Sequence, residues 1–254
     1  MLSPSVDAFA ALARSSPWRW STLRFTAQWP GDPFRDDHVR AWLRRPDLLR
    51  VESMDGELRQ VVRESRRQLG VLSPDGGHTE TSPWPGPGPE PVSRLDGLVA
   101  ERPQDISYDA PMYQNYAWVA MLDPVELADG VDEETGLRVA PVVVGEVTEV
   151  DHGGRPAWEA VVATTPAYEP RCGCCPLLRS REVDLLEYRD YPENLLPEYP
   201  EAYRVRLDVG TGVGVLTAAI GGSTPGAGHD LRIETVDEPM ADDLFTPPRR
   251  GPFR

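Results

Sequence analysis

YRVRLDVGTGVGVLTAAI, residues 203–220, decides the architecture. Tyr203, Val205, Leu207 and Val209 alternate with Arg204, Arg206 and Asp208. A period of two puts the apolar set on one face of a strand and the polar set on the other. Gly210 and Gly212 follow and allow the chain to double back. A second arm then resumes with Val213, Val215 and Thr217 on one side. This is a β-hairpin with one greasy face, and the other strand segments repeat its style.

Working outward, Leu23, Phe25, Ala27 and Trp29 alternate with Arg24, Thr26 and Gln28 in a strand predicted over 18–29. Trp18 and Trp20 belong to the opposite phase, which predicts a bulge near Ser21. Val39, Ala41 and Leu43 alternate over 38–43, and Pro46 predicts an edge or bulge there. Segments 48–52 and 57–63 flank a turn at Met54-Asp55-Gly56. Further strands are predicted over 141–150, 155–165, 181–188 and 230–236. Helices are predicted over 3–14, capped by Ser5 and ended by Ser15-Ser16-Pro17, and over 112–128. In the latter, Tyr113, Tyr116, Ala117, Ala120 and Met121 form the apolar stripe, and Asp123-Pro124 restarts a short second helix. A terminal helical turn is expected over 240–245. The segment at about 70–111 is a Pro/Gly-rich insertion in an otherwise single domain spanning 1–254. Its prolines forbid a ladder or a long helix, so an exposed, partly extended loop is expected.

The chain carries 41 acidic residues against 26 basic ones, a formal charge of −15, and every basic residue is Arg. A nucleic-acid partner, which needs a cationic footprint, is excluded on this balance. No stretch reaches the ~18 apolar residues of a transmembrane segment. Residues 1–20 show no basic segment followed by an apolar one, so the expected location is cytoplasmic.

The order of elements, and the segments VRAWLRRPDLLRVE at 39–52 with DGEL at 55–58, MLDPVEL at 121–127, YRVRLDVGTG at 203–212 and DDLFTP at 242–247, resemble the LolA/LolB-type lipoprotein-carrier superfamily. Its relatives include sigma-factor regulators and actinobacterial lipid-binding lipoproteins. The resemblance implies an α+β fold: a strongly curved antiparallel sheet, an unclosed β-barrel, with helices covering its concave face. It also implies an apolar cavity for a lipid, an acyl group or a lipidated partner. Leu23, Phe25, Trp29, Leu43, Val205, Leu207, Val213 and Val215 are the expected wall, with Tyr116 and Met121 as a helical lid. The same residues also suit an ordinary packed core. The alternative function is then a protein-interaction or regulatory module with a filled core, using the Pro-rich insertion or the acidic surface. Carriers of this superfamily work outside the cytoplasm, and neither the insertion nor the cysteine loop belongs to their general pattern.

No catalytic constellation appears. A Gly-x-Ser-x-Gly elbow, a phosphate loop and a His-Glu-x-x-His helix are all absent from the sequence. GTGVG at 210–214 lies between two strands and opens no helix, so it is not a dinucleotide fingerprint. A non-enzymatic protein without a resident cofactor is expected. Cys172, Cys174 and Cys175 crowd one loop; they suit zinc if His152 or His229 supplies a fourth ligand, a redox pair, or plain structural thiols.

Overall fold

A computed structural model describes residues 2–31, 38–63, 90–103, 108–132 and 134–247 in full, and 71–72 and 78–79 as paired backbone. Ten strands form one antiparallel sheet: β1 (Thr22–Gln28), β2 (Val39–Arg44), β3 (Leu48–Ser53), β4 (Leu58–Arg63), β5 (Val142–Val144), β6 (Thr148–His152), β7 (Arg155–Thr164), β8 (Ala202–Asp208), β9 (Gly214–Ile220) and β10 (Gly228–Val236). The order is β5-β7-β8-β9-β10-β1-β2-β3-β4, with β6 also paired to β7. The ends do not meet, so the sheet is an open half-barrel, and the fold is α+β.

Alternation decides which face is covered. Leu23, Phe25 and Ala27 on β1, Val39, Ala41 and Leu43 on β2, and Val205 and Leu207 on β8 are all buried. Registers align these rows, as in Phe25 opposite Ala41 and Ala160 opposite Val205. Each such large side chain removed from water contributes about 1.5–3 kcal/mol. Helix α1 (Val6–Arg19) buries Phe9 and Leu12, and α2 (Tyr116–Leu122) buries Trp118, Met121 and Leu122. Trp118 meets Phe25 at 5.2 Å, Tyr113 at 5.3 Å and Trp29 at 6.3 Å between ring centroids.

Several expectations are corrected. Residues 181–187 are not a strand but helix α3 (Arg181–Glu187), because Ser180 accepts from Val183 N and Glu182 and Asp184 occupy its first turn. Helix α1 does not stop at Ser15; it runs to Arg19 through Pro17. Buried Ser15 and Ser16 tie this last part down. Ser16 Oγ donates to Leu122 O at 2.6 Å, and Val99 N donates to Ser15 Oγ at 2.8 Å. Trp18 therefore belongs to the helix, and the irregular pairing of β1 falls at Arg24/Phe25 instead. Pro46 lies in the turn between β2 and β3, and β2 is an interior strand.

The 112–128 segment is a shorter helix than expected, followed by a 3-10 turn at Val125–Leu127. Tyr116 is 42% exposed, and Trp118 takes the buried place. About half of the Pro-rich stretch at 70–111 lies outside the described residues. Its described part folds back as a small hairpin, Val92–Ser93 with Val99–Glu101, and buries Leu98 and Val99 beside α1.

The β8–β9 turn is built around Asp208, which accepts from Thr211 N at 2.7 Å and from Arg155 Nε at 2.7 Å. Gly212 closes it with φ of 73°. A Cβ there would sit 2.6 Å from Leu12 O, so the turn both needs a left-handed residue and touches α1. Gly212→Ala is expected to lower unfolding free energy by about 2–4 kcal/mol. Gly56→Ala, also at positive φ but with open space around it, is expected to cost about 1–2 kcal/mol. Urea denaturation of the two variants checks the difference.

Candidate functional site

A cavity of about 600 Å³ lies between β8, β9 and β10 on one side and α2, the cysteine loop and the segment after α3 on the other. Trp29, Ala117, Leu177, Leu195, Leu196, Tyr203, Ala219 and Ala227 give it an apolar lining. Space exists because small residues stand where a larger side chain would fill it. Asn115, Arg179, Glu193, Thr217 and His229 supply the polar fraction. The Arg179 charge is answered by Asp184, with Nε to Oδ2 at 2.5 Å.

Of the sequence-predicted wall, Trp29 lines this space. Leu23, Phe25, Leu43, Met121, Val205, Leu207 and Val213 have no exposed surface, and Val215 is 2% exposed. They are packed together in the core behind the cavity. Tyr116 borders a separate recess of about 440 Å³ with Arg102, Tyr108, Asp109, Val125 and Arg171.

Cys174 and Cys175 stand on the cavity wall. The thiols of Cys172, Cys174 and Cys175 all lie within 4.8 Å of one another, with Cys172 Sγ to Cys174 Sγ at 3.0 Å and Cys174 Sγ to Cys175 Sγ at 3.8 Å. Burial works against ionising Cys172, but the thiol hydrogen bonds from Cys174 and Cys175 outweigh it and bring Cys172 below the ordinary range. The hydrogen bond to Cys172, with burial, pushes Cys174 up to about 12, and burial raises Cys175. Of the three thiols, Cys172 is thus the one whose ionisation is favoured.

Two buried carboxylates hold this loop, and sequence reasoning missed both. Glu126 accepts from Tyr168 Oη at 2.6 Å, from Leu177 N at 3.0 Å and from Arg171 N at 3.4 Å, so it clasps both ends of the cysteine segment. Burial raises its carboxyl above the usual range, and these hydrogen bonds only partly offset that. Asp123 has no exposed surface. Arg171 Nη2 reaches Asp123 Oδ2 at 2.5 Å and Arg102 Nη1 reaches it at 3.0 Å. Burial opposes its ionisation, yet the two guanidiniums hold the carboxyl below its usual range. Asp123 therefore serves as an ion-pair centre and not as the expected helix cap, since the following 3-10 turn has no side-chain cap. The Asp123-Pro-x-Glu126 spacing was visible; the distant Arg102 and Arg171 were not.

The histidines expected to complete a zinc site are committed elsewhere. His229 Nε2 meets Gly214 O at 2.7 Å and Nδ1 meets Thr217 Oγ1 at 3.0 Å. His152 Nε2 meets Leu231 O at 2.9 Å, and Nδ1 faces Arg206 Nη1 at 3.2 Å. Asp230 Oδ1 lies 3.4 Å from His152 Nε2, and that imidazole brings the Asp230 carboxyl down to about 2.

Asp123→Ala leaves Arg102 and Arg171 without their shared counter-ion and is expected to cost about 3–5 kcal/mol. Asp129→Ala, which breaks the more exposed pair with Arg14, is expected to cost less than about 1 kcal/mol by chemical denaturation. A depressed carboxyl stabilises the fold above its unfolded value and loses that contribution as pH falls through its folded value. Asp230→Asn is therefore expected to lower stability by about 1–2 kcal/mol at pH 7. The gap to the parent closes as pH drops from 3.8 towards 2, as read from denaturation midpoints across pH.

No protein family and no curated protein matches this sequence. A crystal structure of MucB aligns over 96% of this chain, at 11% identity and a TM-score of 0.34. The alignment covers 62% of the MucB chain, so this chain spans less than two thirds of that protein.

Proposed function

We propose that this chain is a non-catalytic binding protein that takes an apolar small molecule or acyl chain into the space between β8–β10 and the covering segments. The observation that carries the reading is the cavity itself. Its volume of about 600 Å³ falls within the ~300–1,000 Å³ range of small-molecule sites. Its lining combines aliphatic and aromatic side chains with polar groups that include Arg179, Thr217 and His229. Such a site gains from removing apolar surface of the guest from water, and Arg179 or Asn115 orients a polar end. The core residues Leu23, Phe25, Leu43, Met121, Val205, Leu207, Val213 and Val215 act as the rigid backing on which Trp29 is held.

The second reading is docking of a protein partner. Leu185, Leu186 and Tyr191 are 47%, 69% and 59% exposed on the segment that leads to the cavity-lining residues Glu193–Leu196. Large apolar side chains grouped this way mark interaction surfaces.

Uptake of an apolar fluorescent dye, alongside native mass spectrometry for co-purified lipid, tests the leading reading. Ala219→Phe puts a ring into the cavity and is expected to weaken dye uptake by at least about tenfold, with an unchanged circular dichroism spectrum. Uptake equal to the parent's in a folded Ala219→Phe protein overturns the cavity assignment. Loss of partner binding on Leu186→Asp with dye uptake intact selects the second reading.

A further inference from the structure

We infer that Cys172, Cys174 and Cys175 form a three-sulfur site for one Cu(I) ion on the wall of the cavity. The first ground is composition: within the described residues the group contains three thiols and no histidine or carboxylate. Soft thiolates select soft ions over oxygen-seeking cations such as Mg²⁺ or Ca²⁺.

The second ground is geometry. Three sulfurs at ~2.3 Å from a central ion form a triangle with edges of about 4 Å. The thiols already stand at 3.0 and 3.8 Å across two edges, and none is more than 4.8 Å from another. A side-chain adjustment of about 1 Å, well within rotamer freedom, converts the cluster into a ligand set. One turn of chain supplies all three, closed by Cys175 N donating to Cys172 O at 3.3 Å.

The third ground is preorganisation. The segment is clasped at Arg171 and Leu177 by buried Glu126, and Arg171 is locked to buried Asp123. Tyr188 Oη donates to Cys174 O at 3.2 Å. A loop with no ligand duty does not need two buried carboxylates to hold its ends, and a fixed first shell is what a metal site requires.

Zinc fits less well. Structural zinc takes four ligands in a tetrahedron, with wider spacing than Cys-Gly-Cys-Cys. His152 and His229 have both ring nitrogens engaged. Three-coordinate Cu(I) needs no fourth group. Binding releases the thiol protons to solvent and involves no change in oxidation state.

The inference stands apart from the guest reading, because dye uptake and metal affinity are separate measurements. The reduced full chain, kept anaerobic, is titrated with Cu(I) against a colorimetric Cu(I) chelator, and X-ray absorption reports the first shell. One ion per chain with a shell of three sulfurs is expected. Cys172→Ser is expected to weaken binding at least about tenfold, with circular dichroism unchanged and dye uptake retained, and Cys174→Ser is expected to weaken Cu(I) binding likewise. Affinity in the triple Cys→Ser variant equal to the parent's overturns the site. So does a shell containing nitrogen or oxygen, a preference for Zn(II) over Cu(I), or a Cys172–Cys174 disulfide that persists under reductant.

Discussion

The carboxylate of Asp123 is the point at which the covering elements are tied to one another. It is fully buried and joins Arg102, which follows the small 92–101 hairpin, to Arg171 at the head of the cysteine loop. Arg102 also donates from Nε to Arg14 O in α1 at 2.9 Å, and Arg171 Nη1 donates to Asp123 O at 2.7 Å. One charge thus links four segments remote in sequence. Desolvating a carboxylate is costly, and two guanidiniums with shared hydrogen bonds offset that cost only when all are present. Such a network stabilises little over a greasy replacement, but it admits one arrangement.

That constraint explains why a cavity survives beside a dense core. The half of the concave face under α1 and α2 is filled by Phe9, Leu12, Trp118 and Met121. Over β8–β10, the covering is the loop from Arg171 to Leu177 and the segment after α3, held by Glu126 and by Tyr203 Oη donating to Arg179 O at 2.7 Å. These polar tethers act at fixed points, beside the few side chains that the same segments bury, Leu177, Leu178 and Val183. The residues facing them from the sheet are Thr217, Ala219 and Ala227. Collapse is prevented by the tethers while filling is prevented by the small side chains. Both are needed, since an untethered loop would close onto Ala219 and bury the same surface without a guest.

Most of the sheet was legible in the sequence, because a half-buried strand writes its two faces in alternation. Leu23, Phe25 and Ala27, or Val205 and Leu207, needed nothing but period two. Helix α3 was lost to the same logic: Val183 and Leu185 alternate as a strand would, and that outweighed Ser180 followed by acidic residues, which is a helix start. The stripe through Tyr113, Tyr116, Ala117, Ala120 and Met121 leaves out Trp118, which stands three residues before Met121 and shares its buried face. Alternation also names the packed face without saying where packing fails. The cavity lies where side chains are small, and Ala117, Ala219 and Ala227 carry no signal on their own. Trp29 and the cysteines were identifiable because their chemistry is conspicuous. Asp123 and Glu126 were not, because their partners come from positions 102, 168, 171 and 177.

The two buried carboxylates differ in a way that bears on the loop. Asp123, facing two guanidiniums, is held ionised, whereas Glu126, facing a phenol and backbone amides, is pushed towards its neutral form. Asp123 stands just before the 3-10 turn at Val125–Leu127 and Glu126 within it, so one short stretch presents a firm anion to Arg171 and a softer acceptor to Leu177. An ionic anchor at one end and a hydrogen-bonded one at the other fix both ends of the thiol segment, while Cys175 N on Cys172 O and Tyr188 Oη on Cys174 O hold the backbone between them. With the backbone held, the three sulfurs on this turn adjust through their side-chain torsions alone, without disturbing the fold around them.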